Sequence, residues 1–176
     1  MHKENLIEIL QGIDEEAALL LGVSSSKARV ILVGGAAFML RDLTTRQATH
    51  DIDVLSADAV VRGIIANYPE VNGGVAAFAD QIPYNFEDRL VRLNLSTQAI
   101  DFFAPSTEDL VVMKLYAQRP NDVQDIDGAI ASGQMDWGLL ETLVYGEDEA
   151  KALCLVKRHY EEMVRAYETI KARWGR

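Results

Sequence analysis

The run Arg29-Val30-Ile31-Leu32-Val33 stops at Gly34-Gly35, and the chain restarts at once as Ala36-Ala37-Phe38-Met39-Leu40. Clustered β-branched residues suit a buried strand, and alanine, methionine and leucine suit a helix, so the glycine pair marks a strand that turns directly into a helix. Such a junction belongs to folds in which helices pack on a sheet. After a polar stretch through Thr44, Thr45, Arg46 and Thr49 comes Asp51-Ile52-Asp53-Val54-Leu55. Its alternation suits a second strand with both aspartates on one face.

The flanking segments read more conventionally. Apolar residues between Glu4 and Leu21 recur at three and four, which predicts an amphipathic helix that Gly22 and Ser24-Ser25-Ser26 terminate. Asp58 opens a helix to about Asn67, and Pro69, Asn72, Gly73 and Gly74 mark a loop. Val75 to Phe78, Leu90 to Leu95 and Ala99 to Phe103 read as three more strands, with Ser96-Thr97-Gln98 as a tight connection. Beyond Pro105 the pattern turns helical. Ser106 or Thr107 caps a helix containing Leu110 to Ala117, Asn121 caps the next through Ile130, and a last helix begins at Glu147-Asp148-Glu149 and ends with Lys171, Arg173 and Arg176. Its charge order complements the helix dipole, and Val156, Tyr160, Met163, Tyr167, Ile170 and Trp174 form a packing seam. These elements divide the chain into an α/β core with its N-terminal helix, 1–105, and a helical region, 106–176, packed on it as one unit.

Composition narrows the function. A chain of 176 residues, 49% of them apolar, suits one core with a helical appendage. A formal charge of -10 sets up a field that repels polyanions, so a broad nucleic-acid surface is disfavoured and a small cationic acceptor or a protein hydroxyl is easier to accommodate. One cysteine, Cys154, leaves no disulfide framework or thiolate cluster for zinc, which fits a reducing cytoplasm. Acidic residues interrupt the N-terminal apolar stretch, so it is no signal peptide, and no run approaches a membrane span.

The chemistry sits with the acids. Asp51 and Asp53, two apart on a strand, can reach the same hard cation, whose charge would reverse the repulsion between them; the alternative is that one of them is an exposed strand residue or caps a nearby turn. Gly34-Gly35 at a helix start either lets backbone approach a phosphate or is a tight turn alone, and the aspartates that follow favour the first. Asp101, alone among the apolar residues of its strand, needs a partner: either it is a third metal ligand or general base, or it pairs with an arginine such as Arg92. Lys114 lies on an otherwise apolar helix and either binds an anion or extends its ammonium to water. Asp122 and Asp125 could pair with Arg119 or Lys114, and Arg46 and His50 flank the aspartates, with Arg46 a candidate phosphate contact.

The order of strand, glycine pair, helix and Asp-x-Asp resembles the core signature of the nucleotidyltransferase superfamily, the fold of DNA polymerase beta and the minimal nucleotidyltransferases. Val33-Gly34-Gly35, Arg46, Thr49-His50-Asp51-Ile52-Asp53 and the stretch from Met113 to Ile126 look like the AbiEii-type toxins and related bacterial enzymes. The resemblance covers roughly residues 30 to 127. It implies an α/β (α+β) nucleotidyltransferase fold with a small mixed sheet flanked by helices and a C-terminal helical bundle. It also implies Mg2+ or Mn2+ on Asp51, Asp53 and Asp101, with Gly34, Gly35, Arg46 and Lys114 on a nucleoside triphosphate and Asp125 in support. The implied activity is nucleotidyl transfer to an acceptor hydroxyl on tRNA, a protein or a small molecule, in a toxin-like enzyme with an antitoxin partner. The alternatives are a non-catalytic binding or antitoxin module and an aminoglycoside-like small-molecule nucleotidyltransferase. A Rossmann site is disfavoured because no Gly-x-Gly-x-x-Gly follows the first strand.

Overall fold

Helix α1 (Lys3–Leu21) buries Leu6, Leu10, Ile13 and Ala17, the stripe its periodicity predicts. The computed structural model describes residues 1–22, 26–73, 75, 81–146, 149–150, 154 and 156–176. After α1 come β1 (Ala28–Val33), α2 (Gly34–Leu40), β2 (Ile52–Ala57), α3 (Ala59–Ile65) and β3 (Val71–Asn72). Then follow β4 (Val91–Arg92), β5 (Ile100–Ala104), α4 (Thr107–Ala117), α5 (Pro120–Ala131), α6 (Trp137–Tyr145) and α7 (Lys157–Arg173). The five strands form one mixed sheet in the order β3-β2-β1-β5-β4, in which β1 runs antiparallel to β2 and parallel to β5. The most apolar strand, β1, is therefore central, covered on both edges and buried at every position except Arg29. This is the α/β architecture that the sequence and the resemblance lead one to expect.

One apolar cluster runs from Leu6 of α1 through the sheet to Ile170 of α7, so the C-terminal helices share the core of the sheet. A buried carboxylate ties α1 to that sheet: Asp14 accepts the backbone N–H groups of Gln98, Ala99 and Ile100 at 2.6, 2.9 and 2.7 Å. The start of β5, which has no side-chain signal of its own, is fixed by this acid. Among the described residues no helix is long and apolar enough to cross a membrane.

Several elements differ from the reading of the sequence. The strand beside β2 is Val71–Asn72, ahead of Gly73 and two residues long; Val75 has 3-10 helical backbone, and 76–80 fall outside the described residues. Pairing with β2 creates it, which no local apolar pattern announces. Only Val91–Arg92 of the run from Leu90 to Leu95 pairs, with Ala104 and Phe103. Helix α5 starts at Pro120, not after Asn121, because proline is suited to the first helical position and Asp122 Oδ2 accepts the Arg119 N–H at 3.0 Å. Helix α7 begins at Lys157, so its first turn is basic and only its C-terminal charges suit the dipole. Glu149 lies in a turn before it, and 147–148 fall outside the described residues. Met163, Tyr167 and Ile170 form the buried seam of α7, while Val156 and Trp174 stay exposed.

Candidate active site

The glycine pair and the paired aspartates meet because β1 and β2 are antiparallel neighbours, with Val33 opposite Asp53. Gly34 follows Val33 with φ +65°, and a Cβ built on it would lie 2.2 Å from Asp53 Oδ2. A Cβ on Gly35 would lie 2.7 Å from Thr49 Oγ1. Both glycines are thus required by the side chains of the aspartate-bearing segment. Around them opens a cavity of about 580 Å³, whose walls include Asp51, Asp53, Arg46, His50, Asn72, Lys114 and Arg119. That size is ordinary for a small-molecule site.

A chain of ion pairs forms one wall. Lys114 Nζ, buried, lies 2.5 Å from Asp122 Oδ1 and 2.9 Å from Asp125 Oδ2, over the ring of Phe38. Asp125 is fully buried and also accepts from Arg46 Nη1 at 2.9 Å and Thr44 Oγ1 at 2.8 Å. Asp122 takes Arg119 Nε at 2.8 Å. Three cations and two carboxylates leave this network one positive charge in excess, facing the two aspartates of β2 and its lead-in. Arg119 is the member that reaches solvent, its side chain 71% exposed. The hydrogen bond to Asp122 holds its guanidinium above its ordinary range, against burial, and Asp122, Asp53 and Asp51 add to the effect by charge.

Asp125 also fastens the loop that delivers the aspartates. Besides its bonds to Thr44 and Arg46, helix α5 lies so close to this loop that a Cβ on Gly128 would sit 2.7 Å from the Leu43 carbonyl and 2.8 Å from Thr44 Cα. Gly128 therefore lets two backbones touch. Asp125 does not line the cavity; it positions Lys114 and Arg46, which do.

Burial pushes the Asp53 carboxyl above the usual carboxylate range, and the charge of Asp51 pushes it further, opposed by the Asn72 hydrogen bond and by Lys114 and Arg119. Asn72 Nδ2 donates to Asp53 Oδ1 at 3.0 Å. Asp53, disfavoured in its ionised form with Asp51 beside it, offers a donor set whose repulsion a cation relieves. The two carboxylates fit magnesium, which takes one or two carboxylates and completes its shell with water and phosphate oxygens. Among the described residues no group of three or more histidine, cysteine, aspartate or glutamate side chains could hold a metal ion.

Asp101 is accordingly not brought to the pair. Arg29 stands opposite Asp101 on β5, and Val33 stands opposite Asp53 on β2. Arg29 and Val33 are an even number of residues apart, so the two acids share a sheet face, but four strand residues place them ~13 Å apart along it. Asp101 instead lies 2.5 Å from Arg92 Nη2 and 3.7 Å from Lys27 Nζ, the arginine pair weighed above. The structure brings together Asp51, Asp53, Gly34, Gly35, Arg46 and Lys114, with Asp125 behind them. Sequence reasoning missed Asn72, read as a loop residue, and Thr44. Only the register of β3 on β2 points to Asn72.

A family model described as "Nucleotidyltransferase of unknown function (DUF6036)" matches residues 8–175. No curated protein and no solved structure matches the chain.

Proposed function

Because the chain belongs to this family of nucleotidyltransferases, we propose that it moves a nucleotidyl group from a nucleoside triphosphate to an acceptor hydroxyl in the cavity between β2 and α4. The observation that carries this reading is the facing of an unneutralised aspartate pair by a cationic wall within one cavity. Asp51 and Asp53 supply oxygen ligands to magnesium or manganese. When bound, such an ion neutralises triphosphate oxygens and charge on the leaving pyrophosphate. Arg119, its fork braced by Asp122, meets the triphosphate from the open side, and Lys114 and Arg46 set the positive potential behind it. Gly34 and Gly35, which lack the Cβ atoms that would collide with Asp53 and Thr49, let the aspartate-bearing segment lie against the start of α2 at the cavity wall. The acceptor oxygen forms a bond to the α-phosphorus, the bond to pyrophosphate breaks, and the hydroxyl proton passes to solvent.

The chain's charge of -10 favours a protein hydroxyl or a small cationic molecule over tRNA as acceptor. A toxin paired with an antitoxin, working in the cytoplasm, rests on resemblance to the AbiEii-type enzymes alone. A second reading, a nucleotide-binding module without turnover, draws on the two-carboxylate site, which has no third acid among the described residues. Calorimetric titration with magnesium and each of the four nucleoside triphosphates tests both readings. Binding of at least one, abolished in Asp53→Ala, is expected; no binding at all would overturn both.

A further inference from the structure

Strand β3 brings two residues to the sheet, and in a strand successive side chains take opposite faces. Val71 packs against the core, whereas Asn72, in register with Asp53, takes the face of that aspartate and lines the cavity. Backbone anchors the strand: the Ile52 N–H donates to the Glu70 carbonyl oxygen at 2.9 Å, and the Val71 N–H to that of Tyr68 at 3.0 Å. The Asn72 side chain is exposed and serves a different contact, donating from Nδ2 to Asp53 Oδ1 at 3.0 Å. From the other side the same carboxylate lies against Gly34, where a Cβ would come within 2.2 Å of Oδ2 and 3.1 Å of Cγ. One oxygen of Asp53 thus meets an amide N–H, and the other rests on the backbone of the cavity wall.

We infer that Asn72 is a positioning residue: it holds Asp53 so that a cation meets Oδ2 alone, and it thereby sets a preference for magnesium or manganese over calcium. The inference rests on the metal-binding reading of Asp51 and Asp53. The amide N–H presents its positive end to Oδ1, so a cation is repelled from that oxygen and contact with both oxygens of Asp53 is disfavoured. Magnesium loses little by this, since it takes one or two carboxylates and fills an octahedral shell with water and phosphate oxygens. Calcium collects about 6–8 oxygens at longer range, often both oxygens of one carboxylate, and gains most when Asp53 is free to turn. Partners that orient a metal ligand from behind are worth ~10–100-fold in metal affinity.

Manganese binding to the full chain, read as the free ion by electron paramagnetic resonance, tests this with magnesium and calcium as competitors. Magnesium should displace manganese from the wild-type chain at lower concentration than calcium does. Asn72→Ala should bind manganese ~10-fold more weakly, and calcium should then compete at least as well as magnesium. Asn72→Leu, which keeps the volume but no donor, should behave as Asn72→Ala, and Asn72→Gln, which keeps an amide donor, should leave magnesium ahead. A merely structural role for Asn72 would weaken magnesium and calcium in proportion, and that result would overturn the inference. Wild-type manganese affinity in both Asn72→Ala and Asn72→Leu, or calcium ahead of magnesium in the wild-type chain, would do the same and leave Asp51 and Asp53 standing as a metal site. Absence of manganese binding by the wild-type chain would overturn the metal reading and the inference with it.

Discussion

Replacing Asp125 with alanine removes one carboxylate that three groups share. Asp125 is fully buried and accepts from Thr44 Oγ1 and Arg46 Nη1 while lying 2.9 Å from Lys114 Nζ. In the variant Lys114 keeps Asp122, but Arg46, its side chain 12% exposed, loses its carboxylate partner. Breaking a buried pair by deleting one partner costs ~3–5 kcal/mol, because the remaining charge is left uncompensated. In a chain of this length each kcal/mol lowers the melting temperature by ~2–4 °C, so a fall of ~6–20 °C is expected. Thermal unfolding followed by circular dichroism reads it directly. Arg119→Ala is the companion measurement: Arg119 is largely exposed and buried Asp122 keeps Lys114 as a partner, so the midpoint should move less than in Asp125→Ala. An Asp125→Ala midpoint within 2 °C of wild type would refute the claim that this acid clamps the 43–50 loop to α5 and α4.

Gly34→Ala should cost ~1–2 kcal/mol for its left-handed backbone alone, and its Cβ would displace Asp53, so magnesium binding by calorimetry should be lost even where the protein still folds. Asp14→Ala should destabilise by ~3 kcal/mol or more, because three backbone donors at the start of β5 lose a charged acceptor; hydrogen exchange at Gln98, Ala99 and Ile100 should speed up together, and unchanged protection there would count against the role given to Asp14. The raised carboxyl of Asp53 has a definite sign. Above its folded value the ionised group is disfavoured in the folded state, so without metal this residue subtracts stability as pH rises from the ordinary aspartate range through its raised value. Asp53→Asn should therefore melt higher than wild type at pH 7 without metal, and added magnesium should stabilise wild type alone; a lower midpoint for the variant would contradict the electrostatic account.

What the sequence could reveal of this molecule follows the range of its signals. Residues 28 to 40 and 51 to 57 were legible because apolar periodicity and a glycine pair act over a few residues. The two-residue strand β3 was not, since pairing with β2 creates it. Asp101 marks the limit most clearly. Alternation identifies the face of a strand, and Asp101 does share the face of Asp53, but its height along the sheet depends on the register of β5 on β1. Lys114 was open between an anion and water, and only the packing of α5 on α4 reveals that its anions are the chain's own Asp122 and Asp125. The closeness of Gly34 to Asp53 likewise depends on pairing between strands whose residues stand 19 positions apart in the chain, which no motif encodes.

The central claim is metal-dependent nucleotidyl transfer at Asp51 and Asp53 without Asp101, and transfer of label from α-labelled nucleoside triphosphates tests it most directly. The protein would be incubated with each triphosphate, magnesium and a cell extract, and labelled products separated. Wild type and Asp101→Asn should both transfer label, chelation of the metal should abolish it, and Asp51→Asn and Asp53→Asn should transfer none. Transfer that survives in Asp53→Asn, or that disappears in a folded Asp101→Asn, would contradict the site described above.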